Sequence, residues 1–207
     1  MVPGFELPLA ALLGYLIGAI PSGVMIGRLR GVDPRAVGSG RTGTTNALRT
    51  LGPALASVVF LLDVAKGAVA VLAGSWIAAA LDAPDAWPAA LAGVAAVVGH
   101  VRSAFIRFGG GRGVATGAGA MLVLAPLALL AAIPVFAALV WRTRYVSLGS
   151  IGAAVALALG AGVLFALGRA GVEVAVAAAL IGIVVVVAHA DNIGRLRAGS
   201  ERRLGHG

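Results

Sequence analysis

GVATGAGAMLVLAPLALLAAIPVFAALVW, residues 113–141, decides how this chain folds. The run carries no charge, and Arg112 and Arg142 close its two ends. Arginines beside a membrane span mark the cytoplasmic side, so the positive-inside rule puts both ends inside. A single crossing cannot begin and end on one side. The run has 29 residues, too few for two full crossings of roughly 20 residues each. It therefore predicts a shallow helical hairpin, two short helices breaking near Pro126, because Pro disrupts a helix interior. The rival reading is one ordinary span with Arg142 and Arg144 outside. The hairpin gives about seven helices, the single span six, and the charges favour seven.

Outward from that run, residues 7–27, 53–81, 86–105, 146–168 and 172–190 read as further spans. Ala, Gly, Val and Leu dominate them, and small residues allow close helix approach, so a tight bundle is expected. Segment 28–49 holds five arginines, segment 102–112 three, and the tail beyond residue 190 four, whereas segment 82–88 holds Asp82 and Asp85 and no base. This asymmetry predicts the N-terminus outside and the C-terminus cytoplasmic. The expected architecture is an all-α polytopic membrane protein, a single integral-membrane domain over residues 1–207.

Composition agrees. The 207 residues are 60% hydrophobic and 12% charged, with mean hydropathy +1.01, far from soluble composition. The first apolar run lacks a basic leader and an obvious cleavage site, so it reads as a retained helix. Cysteine is absent, which excludes thiol catalysis, disulfides and Cys-based metal sites. No cluster has metal-ligand spacing. Of the 16 basic residues 15 are Arg, and the net charge is +8. Aromatics make up only 5%, too few for a base-stacking surface, so the charge points to anionic lipid or an anionic substrate and not to nucleic acid.

Three polar islands interrupt the apolar chain, and one shared polar site is the simplest expectation. The first, GSGRTGTTNALRTLG at 38–52, combines Gly38 and Gly40 with Ser39, Arg41, Thr45, Asn46 and Arg49. Gly permits close backbone approach, and Arg offers a planar fork for phosphate oxygens. The plain alternative is a solvated loop before a helix. The second island, RFGGGRGVAT at 107–116, sets Gly109, Gly110, Gly111, Arg112 and Gly113 before a helix, a natural phosphate cradle. It lacks the spacing and the Lys-Ser/Thr pair of nucleotide-hydrolase loops. The third, HADNIGRLRAGSERR at 189–203, places His189 and Asn192 on one helix face. Within the span 53–81, Asp63 and Lys66 are also three apart. They either neutralise each other as scaffold, or Lys66 reaches a substrate anion. His100 and Arg102 are expected to line the same polar region.

At these residues the chain resembles the bacterial acyl-phosphate:glycerol-3-phosphate acyltransferases, the PlsY family. Residues 18–52, 99–116 and 189–203 are similar to the family's three motifs in order, spacing and apolar context. The resemblance implies transfer of a fatty acyl group from acyl phosphate to the 1-hydroxyl of glycerol 3-phosphate. The products would be lysophosphatidic acid and phosphate, in the first step of phospholipid synthesis. It implies catalytic roles for Ser39, Arg49, His189 and Asn192, and glycerol-3-phosphate binding by Gly109, Gly110, Gly111 and Gly113. Glu201 would support the structure. No cofactor or metal is implied, the partners are the two substrates and the bilayer, and the protein is expected to be a monomer. The place is the bacterial inner membrane, with the active site facing the cytoplasm.

Two departures mark this chain. Arg41 stands where the family usually has Asn, and FGGGRG stands where it usually has FKGGKG, so Gly109 and Arg112 replace two Lys. Acyl phosphate is already activated, so two phosphorylated substrates need only be held and oriented while charge is stabilised electrostatically. Arg49, Arg112 and Lys66 are the cations for that task. Ser39 is expected to hydrogen-bond and not to become acylated. The proton acceptor is either His189 or a substrate phosphate oxygen. A transporter for an organic phosphate is the competing class; no inverted repeat is visible, and the islands gather on one predicted side.

Overall fold

The computed structural model describes residues 4–83 and 86–205; Asp85 of the acidic loop lies outside them. Ten α-helices and a 3-10 turn make up the regular structure among the described residues. They are α1 Glu6–Ala19, α2 Ser22–Arg28, α3 Thr44–Leu51, α4 Pro53–Ala80, α5 Trp87–Val101, the 3-10 turn Ala104–Ile106, α6 Val114–Leu124, α7 Pro126–Thr143, α8 Val146–Ala166, α9 Val172–Ala188 and α10 Ala190–Arg197. Among the described residues four stretches are long and apolar enough to cross a membrane: Glu6–Arg28, Pro53–Ala80, Pro126–Thr143 and Val146–Ala166. A fifth results if α9 and α10, bent by 55°, count as one span. The apolar helices α5 and α6 are shorter.

Three expectations need correction. The stretch 7–27 falls within the candidate span Glu6–Arg28, as expected, but it is built from two helices and not one, because Pro21 has no N–H to continue the ladder and its ring crowds the preceding turn. The span expected at 86–105 stops at Val101, where Arg102 leaves helical geometry (φ −133°, ψ 69°). Run 113–141 does break beside Pro126, at extended Ala125. Its second helix, however, is not short. Pro126 opens α7 at its first turn, where a missing N–H costs nothing, Pro134 sits inside without ending it, and the helix runs for 18 residues.

The chain forms two compact units, Met1–Leu124 and Ala125–Gly207. In the first, α1 packs on α5 and α4 packs on α5 and α6. The contacts are backbone to backbone: a methyl group at Gly18 would strike the Ala96 carbonyl, and one at Gly119 the Val64 carbonyl. Glycine at such seams lets membrane helices gain contact without side-chain entropy loss. Gly119→Ala is therefore expected to cost roughly 1–3 kcal/mol through forced separation of α4 and α6. Thermal unfolding in detergent checks this, with Gly162→Ala, which would meet nothing within 4 Å, as the unchanged control.

In the second unit α7 and α8 run antiparallel, Gly149 lying beside Phe136 and Val140, and Gly160 beside Ala128. The left-handed Arg144 (φ 63°) makes the turn between them. The chain's tail returns to this turn, where the Leu204 N–H donates to the Arg144 carbonyl at 2.7 Å and Arg203 lies over the Tyr145 ring.

Candidate active site

The first island is a loop closed by its own residues. Arg35 folds back on Asp33, with contacts from 2.6 to 3.1 Å. The hydrogen bond from the Arg35 side chain holds the Asp33 carboxyl down at about 2, although so exposed a pair adds little stability. The organiser is Asn46 in the first turn of α3. Its Oδ1 accepts the Ser39 N–H at 2.8 Å, and its Nδ2 donates to the carbonyls of Pro34 and Arg41, both at 2.8 Å, and of Val37 at 3.2 Å. Both amide hydrogens are thus spent within the loop, and the side chain is buried. Asn46 positions the island; the substrate contact expected from its sequence is left to its neighbours. Gly38 adopts φ 65°, and a side chain there would collide with Asn46 Oδ1. Ser39, Gly40 and Arg49 are exposed, while Arg41 and Thr45 are partly buried.

The second island is moulded on the end of α5. The Ser103 N–H donates to the Gly109 carbonyl at 2.9 Å and the Phe108 N–H to the Ser103 carbonyl at 2.8 Å. Arg107 and Phe108 both take left-handed backbone to close this turn. A methyl group at Gly110 would strike the His100 carbonyl and lie 2.6 Å from the Val101 carbonyl oxygen. One at Gly111 would strike the Nε2 of His100. Gly109 is different: the nearest neighbour of a side chain there would be the Ile106 carbonyl at 3.3 Å, so one fits with a slight adjustment. Gly113, at φ 81°, leads into α6. Gly110→Ala is expected to displace the loop and lower kcat/KM by roughly 10- to 100-fold, with the unfolding temperature changed by only a few degrees. Steady-state kinetics beside a melting curve checks both.

These two islands meet. The Thr42 N–H points to the Gly110 carbonyl at 3.4 Å, and Gly43 lies beside Gly111. Gly43 caps α3 and Gly113 precedes α6, so two helix N-termini converge with Arg41, Arg49 and Arg112 on the same segments. Helix N-termini carry unpaired N–H donors and partial positive charge, the combination that binds phosphate. The Thr44 hydroxyl, in the first turn of α3, is buried without a protein partner.

Lys66 takes the scaffold reading. Its Nζ lies 2.8 Å from Asp63 Oδ1 and donates to the Ile20 carbonyl at 2.9 Å. His100 Nδ1 lies 3.5 Å from the same Asp63 oxygen. His100 is buried and Arg102 exposed, so they do not share one lining.

The third island belongs to the second unit. His189 is buried, with Nδ1 2.8 Å from the Val185 carbonyl. Only a protonated Nδ1 makes that contact, so Nε2 is the basic nitrogen of the neutral ring. Asn192 Nδ2 donates to Glu201 Oε1 at 2.5 Å. Ser147 Oγ donates to the same oxygen at 2.8 Å, and Arg195 Nε to Oε2 at 2.7 Å. Ser147 carries no signal in the sequence: it is one small residue in an apolar helix. Ser103 is equally silent, since its partner is a backbone carbonyl, that of Ala19, far along the chain.

The family model for glycerol-3-phosphate acyltransferase matches residues 8–199. The chain is 44% identical to the glycerol-3-phosphate acyltransferase of Geobacter sulfurreducens, covering 96% of this chain and 97% of that one. It is 46% identical to glycerol-3-phosphate acyltransferase 1 of Deinococcus radiodurans, covering 95% of each. The crystal structure of PlsY (YgiH), an integral membrane glycerol 3-phosphate acyltransferase in its glycerol 3-phosphate form, superposes with a TM-score of 0.84 at 38% identity, over 96% of this chain and 95% of that one. Motifs, helices and relatives agree along nearly the whole length: this chain belongs to the glycerol-3-phosphate acyltransferase (PlsY) family.

Proposed function

We propose that this membrane acyltransferase takes its acyl group from acyl phosphate. It delivers that group to the 1-hydroxyl of glycerol 3-phosphate and releases lysophosphatidic acid and inorganic phosphate. The observation that carries the reading is the junction of the two glycine islands, where the Thr42 N–H meets the Gly110 carbonyl and Gly43 lies beside Gly111, on segments that lead into two helix N-termini. The PlsY structures in glycerol 3-phosphate and lysophosphatidic acid forms support it as the ligand chemistry of close relatives.

Both substrates carry phosphate, and both need cations and N–H donors. Gly38, Gly40, Arg41 and Thr45 of the first island, and Gly109, Gly110, Gly111, Arg112 and Gly113 of the second, supply them. The attacking hydroxyl forms the new C–O bond, the C–O bond to phosphate breaks, the electron pair leaves with phosphate, and the hydroxyl proton ends on the released phosphate, either directly through a substrate phosphate oxygen or by way of His189 Nε2. Ser39 orients a substrate oxygen, and Arg49 stabilises charge on the departing phosphate. Lys66 acts at a distance, through the scaffold. His189 and Asn192 enter by their chemistry: a basic Nε2 and an amide suited to orienting a hydroxyl. An outer N-terminus and a cytoplasmic C-terminus would place the islands where a soluble phosphate ester arrives. The protein acts as a monomer in the bacterial inner membrane.

Proteoliposomes given labelled glycerol 3-phosphate provide the test. The label should become extractable into organic solvent only when palmitoyl phosphate is added. Water-soluble label accumulating inside the vesicles without a donor would instead indicate transport.

A further inference from the structure

We infer that Asp63, Lys66 and His100 form a buried positioning relay that sets the glycine loop for glycerol 3-phosphate from the break between α1 and α2. The inference rests on the reading that the second island holds this substrate. Relative exposures are 1% for Asp63, 7% for Lys66 and 6% for His100. Ionisable groups inside membrane-embedded helices are costly and call for a task. Holding α4 to its neighbours is not that task, because glycine and alanine seams already do so, and apolar replacements of buried ion pairs are often neutral for stability.

The task is visible at the two ends. At one, Lys66 Nζ donates at 2.9 Å to the Ile20 carbonyl in the break between α1 and α2, which also accepts the Ser22 N–H at 3.0 Å. In the bilayer such backbone must be satisfied by protein, and Ser103 Oγ does the same for the Ala19 carbonyl at 2.5 Å. At the other end, His100 turns Nδ1 toward Asp63 and its Nε2 edge against Gly111, while the Gly111 N–H donates to the His100 carbonyl at 3.1 Å. Asp63 Oδ1 touches both Lys66 and His100. One carboxylate oxygen therefore lies within ion-pair distance both of Lys66 and of the imidazole on which the glycine loop rests, without hydrogen-bond geometry to either. These are positioning residues, since none is needed in contact with the reacting atoms.

Steady-state kinetics on the purified full chain tests this, with each substrate varied in turn. His100→Ala should raise the KM for glycerol 3-phosphate about tenfold while the KM for palmitoyl phosphate stays within about twofold. Gly111→Ala should be worse, because its new methyl strikes the imidazole. The double variant His100→Ala/Gly111→Ala should recover about tenfold over Gly111→Ala alone, since the obstructing ring is gone. Asp63→Asn should behave as His100→Ala does and add nothing to it. Should Asp63→Asn fail to fold, the His100–Gly111 pair, which removes no ion pair, decides alone. Effects that multiply independently, or that fall equally on both substrates, overturn the inference. Absence of turnover in the folded wild type overturns the acyltransferase reading and this inference with it.

Discussion

Asn46→Asp, an isosteric exchange, is expected to lower kcat/KM by about a hundredfold. The Asn46 amide faces three carbonyl oxygens at 2.8–3.2 Å with its Nδ2. Aspartate would replace that donor with an oxygen and bury a negative charge against them. Leaving buried acceptors unpaired costs about 1–3 kcal/mol, and more where charge is involved, and about 3 kcal/mol corresponds to roughly a hundredfold in rate. The loss should appear in activity together with a lower melting temperature, because the charge is buried in the fold that orders the loop from Pro34 to Arg41. Asn46→Ala should be milder, since the freed carbonyls can turn to water. Kinetics and thermal unfolding on both variants check this. Wild-type kcat/KM in Asn46→Asp would mean that the order of the first island does not matter for turnover.

Glu201→Ala should be the most destabilising change in the second unit, by about 3 kcal/mol. The carboxylate gathers Ser147 from α8 and Asn192 and Arg195 from α10, and alanine would take this acceptor from Ser147 and Asn192 and leave Arg195 with Asp191 alone. Glu201→Gln keeps an acceptor for Ser147 and loses the charge for Arg195, so it should cost about half as much. The acid side carries a second signature. Burial pushes the Glu201 carboxyl up, but hydrogen bonds from Ser147, Asn192 and Arg195, with the Arg195 charge, outweigh it and hold the group below the ordinary 4.5. A depressed carboxyl contributes stability that is fully present above its unfolded value and is lost as pH falls through the folded one. Wild-type melting should therefore drop as the pH is lowered below about 4.5, and Glu201→Gln should flatten that drop. Identical acid limbs would remove Glu201 as the titrating clasp.

What the sequence made legible was governed by hydropathy and charge. Residues 53–81 and 146–168 read as spans and form Pro53–Ala80 and Val146–Ala166, because apolar runs bounded by polar residues have few other stable forms in lipid. The break beside Pro126 was legible, while Pro134 lies inside α7 without ending it. Proline ends some helices and is absorbed by others, according to whether neighbouring structure accepts the freed carbonyl. The break at Pro21 stayed hidden within an uncharged run. Its repair comes from Lys66 and Ser103, 46 and 84 residues away from the carbonyls they serve.

The glycine islands stood out by composition, yet the reason for individual glycines did not. Gly110 and Gly111 are small because the end of α5 and the His100 ring occupy the space, which no local pattern encodes. Asn46 looked like a ligand residue, since an amide in a polar loop is equally suited to substrate or to backbone. Only its four partners decide.

The measurement that bears most directly on the central claim is donor choice. Purified protein in lipid would receive glycerol 3-phosphate with either palmitoyl phosphate or palmitoyl-CoA, with phosphate and lysophosphatidic acid followed together. The account predicts equal release of the two products from palmitoyl phosphate, loss of both in Arg49→Ala, and no lysophosphatidic acid from palmitoyl-CoA. Turnover with palmitoyl-CoA at a comparable rate, or phosphate released without lysophosphatidic acid, would contradict it.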